Sequence, residues 1–541
     1  MTDGDASDAP APLDAVELEI LRNQLESVAE EMGEVLIRGA YSPNITERRD
    51  CSTALFDADG RLVAQAEHIP VHLGAMPRAV DAIRDRDPTP GDVFALNDPF
   101  AGGTHLPDVT FVSPIGAERA SASAASDRAR QRDGADEIVA YAVSRAHHAD
   151  VGGMAPGSMP AGAREIQQEG LRIPPVRLVA DGAIVEDVLD LLLANVRNPT
   201  ERRADVQAQL GANERGARRI GELLDTHGDR LLAAFDAVVD YSRDRMRAEL
   251  STIPDGEYAA SGTVEGDGLT DEDVVIAVTV TVDGASIAVD FEGTAPQVAG
   301  NVNAPLAVAE SAVYYVLRCV TDPEIPPNQG CYDPIAVSAP EGSLLNPTPP
   351  AAVVGGNVET SQRVTEVVFA ALAEAAPDRV PAESQGTMNN LVVGGPAFTY
   401  YETIGGGAGA TPTRDGASGV QVGMTNTQNT PIEALEAEYP LRVSEYALRD
   451  GSGGAGRHRG GDGLVREIVV ETDATVSLLT DRRRTPPAGR AGGGDGATGQ
   501  NLVDGERAPA KVTRPVDSGT VVRIETPGGG GYGEPGRDGD S

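Results

Sequence analysis

Two Asp-Gly pairs, each set between runs of alternating apolar residues, constrain the fold most strongly. Asp59-Gly60 separates Ser52–Phe56 from Arg61–Ala66, and Asp283-Gly284 interrupts the run Val274–Phe291. An Asp-Gly pair supplies the positive φ angles of a tight turn, so each region is predicted to form a β-hairpin. Hairpins join neighbouring strands antiparallel, and the sheets are therefore expected to be mainly antiparallel.

Helical periodicity marks other parts of the chain. Apolar residues recur every three or four positions from Leu18 to Val35, and Asp14 is the predicted N-cap. Further helices are predicted over 199–250, 305–320 and 359–375, and further strands over 464–479 and 519–525. This mixture predicts an α+β fold of several domains, mainly antiparallel sheets with several helices. We place the domains at 1–250, 251–345 and 346–541.

The charge balance excludes several classes of function. The chain of 541 residues has 44 Lys+Arg against 83 Asp+Glu, a net charge of -39. Such a field repels phosphate backbones and anionic lipids, so we expect neither a nucleic-acid nor a membrane partner. Arginine supplies nearly all of the positive charge. Because Lys511 is the sole lysine, a phosphate-binding loop and a catalytic Schiff base are both excluded.

Composition also indicates where the protein works. An acidic, lysine-poor chain without tryptophan is typical of proteins adapted to high salt, and we predict a halophilic source. The acidic N-terminus has no signal-peptide pattern, and no apolar run is long enough to span a bilayer. Cys51, Cys319 and Cys331 form no C-x-x-C pair and are expected to be reduced packing residues. We therefore expect a cytoplasmic protein.

Histidines are concentrated in one part of the chain. Five of the seven lie between His68 and His148. The polar run 97–108 precedes a predicted strand at 109–115, and the polar run 144–153 follows one at 138–143. The strands are joined by the segment 117–137, which has no apolar period and is predicted to be a surface loop. Antiparallel pairing of the two strands would bring both polar runs to one edge of a sheet.

Two imidazoles and a carboxylate at that edge would suit Zn, Mn or Fe. Neighbouring strand residues point to opposite faces, so His147 and His148 cannot both face the site, and we choose His148 because it shares a face with Asp150. The predicted metal ligands are His105, Asp108 and His148. Asp98, His147 and Asp150 are predicted to support them or to be alternative ligands. Two other interpretations stay open, a metal-free acid/base pair and hydrogen-bonding turn residues.

Other motifs carry weaker signals. His68 and His72 are four residues apart, but Pro70 between them argues against a helix, so their place in the pocket stays open. The segment 451–456 matches G-x-G-x-x-G, yet no helical pattern follows it, which argues against a dinucleotide site. The glycine-rich stretches 405–409 and 528–531 are expected to form tight turns or to allow close backbone approach. The chain has no G-x-S-x-G motif of serine hydrolases.

At these residues the sequence resembles the hydantoinase B/5-oxoprolinase family almost from end to end. The motifs that carry the resemblance are Glu47-Arg-Arg-Asp-Cys-Ser, the segment 68–76, Asn97-Asp-Pro, Gly102-Gly-Thr-His-Leu-Pro-Asp108, His147-His-Ala-Asp-Val-Gly-Gly153, Gly356-Asn-Val-Glu-Thr-Ser-Gln-Arg363, Ser384-Gln-Gly-Thr-Met-Asn-Asn390, Met424-Thr-Asn-Thr427, Gly456-Arg-His-Arg-Gly-Gly-Asp-Gly463 and Gly529-Gly-Gly-Tyr-Gly533.

The resemblance implies the B subunit of an ATP-dependent enzyme. A separate A-type subunit would bind ATP and phosphorylate a cyclic amide such as hydantoin, N-methylhydantoin or 5-oxoproline. This chain would then complete the hydrolytic ring opening with a divalent metal at His105, Asp108 and His148, without binding ATP itself. Acetone and acetophenone carboxylase subunits belong to the same broad family, so a carboxylase subunit is an alternative, as is a non-catalytic scaffold for the A subunit.

Catalytic roles are predicted from position and charge. Asp98 or Asp150 would accept the proton of the attacking water. Arg145 or Arg363 would hold a carboxylate or phosphate, and His147 would assist the metal ligands.

Overall fold

The computed structural model describes residues 13–67, 69–117 and 137–535. Within these residues the chain folds into four β-sheets covered by helices, which confirms the predicted α+β class with mainly antiparallel sheets. The expected surface loop 117–137 falls almost wholly outside the described residues.

The first sheet has seven antiparallel strands in the order β2-β1-β5-β4-β3-β6-β7. The strands are β1 (Cys51–Asp57), β2 (Leu62–Glu67), β3 (Val93–Leu96), β4 (Asp108–Gly116), β5 (Ile138–His147), β6 (Val176–Ala180) and β7 (Ala183–Ile184). The first predicted hairpin is β1–β2, and β4 pairs antiparallel with β5 as expected. The two central strands β4 and β5 are buried along nearly their whole length.

Three smaller sheets follow along the chain. The second is four-stranded and contains β8 (Gly256–Glu265), β9 (Asp273–Asp283), β10 (Ser286–Asp290) and β11 (Ile335–Ser338). The third pairs β12 (Asn390–Gly394), β13 (Thr399–Glu402), β16 (Ala474–Leu479) and β19 (Lys511–Val516). The fourth holds β14 (Leu441–Arg449), β15 (Gly463–Val470), β17 (Gln500–Val503), β18 (Glu506–Ala508) and β20 (Val521–Glu525). The second predicted hairpin is β9–β10, with Gly284 at φ 58° in its turn.

The five longest helices lie where the periodicity predicts them, and six shorter helices among the described residues were not predicted. They are α1 (Ala15–Gly39), α2 (Pro43–Thr46), α3 (Ala75–Arg84), α4 (Ile166–Glu169), α5 (Glu186–Ala194), α6 (Pro199–His227), α7 (Asp229–Leu250), α8 (Leu306–Val320), α9 (Gln329–Tyr332), α10 (Ser361–Ala375) and α11 (Ile432–Glu438). Asp14 caps α1, because its Oδ1 accepts from the backbone N–H groups of Val16 and Glu17 at 3.0 and 2.8 Å. The predicted strand 464–479 is two strands, β15 and β16, which belong to different sheets.

The glycine-rich stretches of the C-terminal region pack against one another. Gly461 N donates to Ala408 O and Gly529 N donates to Gly461 O, both at 2.9 Å. A Cβ atom on Gly529 would lie 2.0 Å from Ala408 O, so a larger residue cannot occupy that position. The expected close backbone approach is therefore confirmed, and what approaches is another glycine-rich segment.

A large buried apolar cluster draws residues from all three predicted regions, among them Val143, Val308 and Val392. The domain boundaries at 250 and 345 stay a prediction. Of the described helices, none combines the length and apolar character that crossing a bilayer requires.

Candidate metal centre

The register of β4 and β5 determines which side chains meet at the sheet edge. Asp108, the first residue of β4, is the direct cross-strand partner of His147, the last residue of β5. Directly opposed residues of antiparallel strands project to the same face. His105 lies in the turn that enters β4, three residues before Asp108. The two polar runs therefore meet at one edge, as expected.

The Asp108 carboxylate is the centre of the site. Asp108 Oδ1 lies 2.9 Å from His105 Nε2 and 3.1 Å from His147 Nδ1. All three side chains are buried, and their candidate ligand atoms fall within 4.8 Å of one another. Burial alone would raise the pKa of Asp108, but the charge and hydrogen bonds of its imidazole neighbours hold that pKa well below its usual range. Burial lowers the pKa of His105, and the charge and hydrogen bond of Asp108 oppose that shift.

His72 supports the carboxylate from its other side. The His72 Nε2 atom lies 3.3 Å from Asp108 Oδ2, and its Nδ1 lies 3.0 Å from the hydroxyl of Ser52 on β1. Thr104 Oγ1 also donates to Asp108 Oδ2, at 3.3 Å. His72 therefore contacts the site, which the sequence left open. It lies in a short 3-10 turn, Pro70–His72, and not in an α-helix. His68 lies outside the described residues.

Aromatic and amide groups from the C-terminal half fix the two imidazole rings. Tyr401 stacks on His147 with ring centroids 4.8 Å apart, and the Arg48 guanidinium lies 4.7 Å from the Tyr401 ring centroid on β13. Asn357 Nδ2 is 3.3 Å from His105 Nε2. A site centred on the N-terminal sheet is therefore completed by residues about 250 to 300 positions further along the chain.

The donor set fits a divalent cation. Ligands bound at about 2.0–2.2 Å to one ion lie roughly 3–3.5 Å apart, close to the separations from Asp108 Oδ1 to the two imidazole nitrogens. The opposite ring nitrogens, His105 Nδ1 and His147 Nε2, are buried and have no hydrogen-bond partner among the described residues, so they are not the atoms that face Asp108. Two imidazoles with one carboxylate suit Zn, Mn or Fe.

His148 is the main correction to the predicted ligand set. Its Nε2 lies 2.8 Å from Gln209 Oε1 of α6, on the face of the sheet opposite the Asp108 cluster. Gln209 Nε2 also donates to Val109 O at 3.0 Å, which ties the helix to β4. Burial, then the nearby charge of Arg202, lower the pKa of His148 to about 4, so this ring is neutral. The structure thus groups His147, and not His148, with His105 and Asp108.

Asp150 and Asp98 also lie in other surroundings than predicted. The Asp150 carboxylate accepts from Gly152 N at 2.9 Å and Gly157 N at 3.0 Å, and its Oδ2 pairs with Arg197 Nη1 at 2.9 Å. Through these contacts the Asp150 carboxylate holds the loop after β5 in place. Asp98 accepts from Phe100 N at 3.1 Å and pairs with Arg172 at 3.3 Å. Neither carboxylate contacts the Asp108 cluster in the structure.

The two predicted anion-binding arginines differ sharply. Arg363 donates to Thr263 O at 3.0 Å and pairs with Glu366, and Glu366 also pairs with Arg482. Arg363 therefore belongs to a buried network of opposite charges. Arg145, on β5, is fully buried and donates from Nε to Thr110 Oγ1 at 2.8 Å. Arg145 lies two residues before His147 and shares its face of the sheet.

Glu359 is a buried carboxyl group that sequence reasoning did not single out. Its Oε1 accepts from Asn390 Nδ2 at 2.8 Å, and Asn390 Oδ1 accepts from the Tyr401 hydroxyl at 2.9 Å. Burial, with a further contribution from Asp481, raises the pKa of Glu359 to about 8. Its position in the motif at 356–363 could have indicated a functional role. A glutamate in a buried helical turn requires either a partner or a proton.

A cavity of about 640 Å³ lies close to Arg48, because the adjacent Arg49 is one of its lining residues. Arg49, Gln421, Thr427 and other polar residues line this cavity. Arg48 Nη2 donates to Thr427 Oγ1 at 3.3 Å, and the Arg48 guanidinium lies over the Tyr401 ring, which stacks on His147. Contacts therefore run from one lining residue of the cavity to the His147 ring.

Comparison with known proteins shows which family the sequence matches. A family model described as hydantoinase B/oxoprolinase matches residues 14–535. An uncharacterized protein of Methanocaldococcus jannaschii is 40% identical, over 97% of this chain and 91% of that protein. 5-Oxoprolinase 1 of Arabidopsis thaliana is 41% identical over 96% of this chain, which spans only 42% of that longer relative.

A solved structure agrees in fold. The crystal structure of an ATP-dependent caprolactamase from Pseudomonas jessenii superimposes with a TM-score of 0.86 at 31% identity, covering 96% of this chain and 91% of that one. With a family match over nearly the whole chain, this protein belongs to the hydantoinase B/oxoprolinase family.

Proposed function

We propose that this chain is the ring-opening subunit of an ATP-dependent cyclic amide hydrolase. The observation that carries the proposal is the buried Asp108 carboxylate with imidazole nitrogens of His72, His105 and His147 around it. The names of two relatives, a 5-oxoprolinase and a caprolactamase, support a lactam or a related cyclic amide as substrate. Hydantoin, N-methylhydantoin and 5-oxoproline are the proposed candidates.

The activating step would belong to a second polypeptide. The M. jannaschii relative has nearly the length of this chain, whereas the plant 5-oxoprolinase is more than twice as long, which supports a division of the reaction between subunits in the shorter proteins. An A-type ATP-binding subunit would phosphorylate the amide oxygen. This chain would receive the activated ring, add water to its carbon and open the C–N bond. A second water would then hydrolyse the resulting acyl phosphate and release inorganic phosphate.

His105, Asp108 and His147 would hold a divalent cation, Zn, Mn or Fe. When bound there, such an ion supplies Lewis acidity and lowers the pKa of a coordinated water. The remaining steps are tasks of the protein. His72 Nε2 would orient Asp108 Oδ2, Ser52 would hold the His72 ring in place, and Tyr401 would fix the plane of the His147 ring.

Two further groups have proposed roles. The polar cavity close to Arg48 would admit the substrate, and movement of Arg48 and Tyr401 would open the route to the buried centre. Glu359 would donate a proton to the departing ring nitrogen, because its raised pKa keeps it protonated near neutral pH and its Oε2 has no hydrogen-bond partner among the described residues.

Reconstitution with an A-type subunit tests the proposal. The metal-loaded chain, its partner and ATP would be incubated separately with hydantoin, N-methylhydantoin and 5-oxoproline, and products would be identified by mass spectrometry. We expect an ATP-dependent gain of one water by at least one ring. A parallel reaction with bicarbonate and a ketone covers carboxylation, and carboxylation without any ring opening would contradict the proposed hydrolase.

A further inference from the structure

Arg145 has an unusual environment for a buried charge. Its side chain is 0% exposed, and the contact of Nε with Thr110 Oγ1 fixes the plane of the guanidinium. Both Nη1 and Nη2 are buried and have no hydrogen-bond partner among the described residues. A guanidinium offers a planar fork of donors, and here the two outer members of the fork are unused.

Among the described residues, the two other fully buried arginines, Arg48 and Arg482, have partners for both outer nitrogens of the guanidinium, although Nε of each has none. Arg48 donates to Tyr401 O and to the hydroxyls of Thr403 and Thr427. Arg482 pairs with Glu366 and Glu383 and donates to Pro486 O at 2.9 Å. Buried donors in native proteins nearly always have acceptors, so the free fork of Arg145 indicates an acceptor supplied from outside the chain.

The fork is next to the candidate metal centre. Arg145 and Thr110 are direct cross-strand partners. They lie two residues along the same strands from the pair His147 and Asp108. Alternate residues of a strand share a face, and two residues advance the strand by about 7 Å. The guanidinium is charged at neutral pH, because arginine keeps its proton in proteins.

We propose that Arg145 is the oxyanion-binding residue of the site and holds a phosphate or carboxylate group beside the His105–Asp108–His147 cluster. The inference rests on the proposed function, which offers two sources of this chemistry. One is the phosphoryl group that the activated ring carries and then loses. The other is a carboxylate on the substrate itself, as in 5-oxoproline.

The geometry of the free fork suits an oxyanion. Two oxygens of a phosphate or carboxylate can accept from Nη1 and Nη2 together, in the bidentate arrangement that arginine favours.

Calorimetric titration of the metal-loaded full-length chain tests this assignment. The ligands are inorganic phosphate, 5-oxoproline and, as a neutral comparison, hydantoin. The variants are Arg145→Met, which removes the charge, and Arg145→Lys, which keeps the charge but loses the fork. Arg466→Lys is the matched control, because Arg466 is also buried but both of its hydrogen bonds go to Glu402 at 3.2 Å.

We expect both Arg145 variants to weaken the Kd for phosphate, for 5-oxoproline or for both by at least about tenfold, with the control unchanged. The ligand affected identifies the source of the oxyanion, and hydantoin binding should not change. Equal affinities in wild type and folded Arg145 variants would overturn the assignment, as would a wild type that binds neither anion.

Two further measurements keep the outcomes separate. If neither variant folds, a crystal structure of the wild-type chain saturated with phosphate decides, because the assignment requires an oxyanion within hydrogen-bond distance of Nη1 and Nη2. Ring opening by the reconstituted complex is scored independently. If the complex is active but the Arg145 variants bind anions as the wild type does, only this inference is wrong. If anion binding depends on Arg145 but the complex is inactive, only the proposed function is wrong.

Discussion

Asp108 and His147 face each other as direct register partners across β4 and β5, with the carboxylate Oδ1 3.1 Å from the imidazole Nδ1. This single pairing decides which member of the His147-His148 doublet enters the site. A shift of one residue in the register would exchange the two faces of the strand.

The doublet gives a direct test of the register. His147→Asn should weaken metal binding by at least about tenfold, because it removes one of three nitrogen and oxygen donors. His148→Asn should leave metal affinity nearly unchanged, because His148 bonds to Gln209 on the other face. The affinities are measured by competition with a chromophoric chelator. Loss of metal from the His148 variant alone would reverse this assignment.

His72 should tune the site without being essential to it. His72→Gln removes the contact of 3.3 Å with Asp108 Oδ2, so the carboxylate loses orientation while its other oxygen stays with His105 and His147. We expect metal affinity to fall by about 10–100-fold. The control is His458→Gln, at a histidine that pairs with Asp415 in the C-terminal region. An equal loss in both variants would mean that His72 has no special relation to the metal.

Glu359 should set an upper pH limit on turnover. Its pKa is raised to about 8, chiefly by burial and then by Asp481, with Lys511 opposing the shift. The protonated form, which can donate, is therefore lost as pH rises through about 8. Glu359→Gln should lower kcat by about 100-fold or more and abolish this alkaline limb. Rate profiles from pH 6 to 10 measure both effects. Unchanged kcat and an unchanged limb in the variant would exclude a proton-donating role.

Glu169 should affect stability instead of catalysis. Burial raises the pKa of Glu169 to about 8, while the N–H groups of Val353 and Val354 partly oppose the shift. Because the folded pKa exceeds the unfolded value, this group's contribution to stability is greatest below about pH 4.5 and is lost as pH rises to about 8. The slope is at most about 1.4 kcal/mol per pH unit.

Urea unfolding at several pH values measures this dependence. Glu169→Gln should flatten the decline in the free energy of unfolding between pH 5 and 8, and Glu165→Gln, at a solvent-exposed position, should not. A wild-type stability that rises over this interval, with the same rise in both variants, would contradict the assignment to Glu169.

Local patterns predicted much of the fold. The Asp-Gly turns located both hairpins, because such a pair needs no distant contact to specify a tight turn. The antiparallel pairing of β4 with β5 also followed from sequence, and with it the meeting of His105, Asp108 and the histidine doublet. The predicted helical region 199–250 did not include the position of its break, which lies at Gly228, where φ is 55°.

The exact register could not be predicted, since a long insertion joins β4 and β5 and no tight turn sets their alignment. His148 was chosen over His147 because it shares a face with Asp150. The Asp150 carboxylate, however, binds Arg197 and backbone amides of its own loop. Tyr401, Asn357 and Glu359 reach the site from distant parts of the chain. Contacts of that kind depend on tertiary packing, which leaves no local period in the sequence.

Anomalous diffraction at the metal absorption edge, from crystals of the metal-loaded wild-type chain, tests the central claim most directly. The account predicts one buried peak within bonding distance of His105, Asp108 and His147 and away from the His148 ring. A fully loaded chain whose peak lies elsewhere, or bonds to His148 in place of His147, would contradict it.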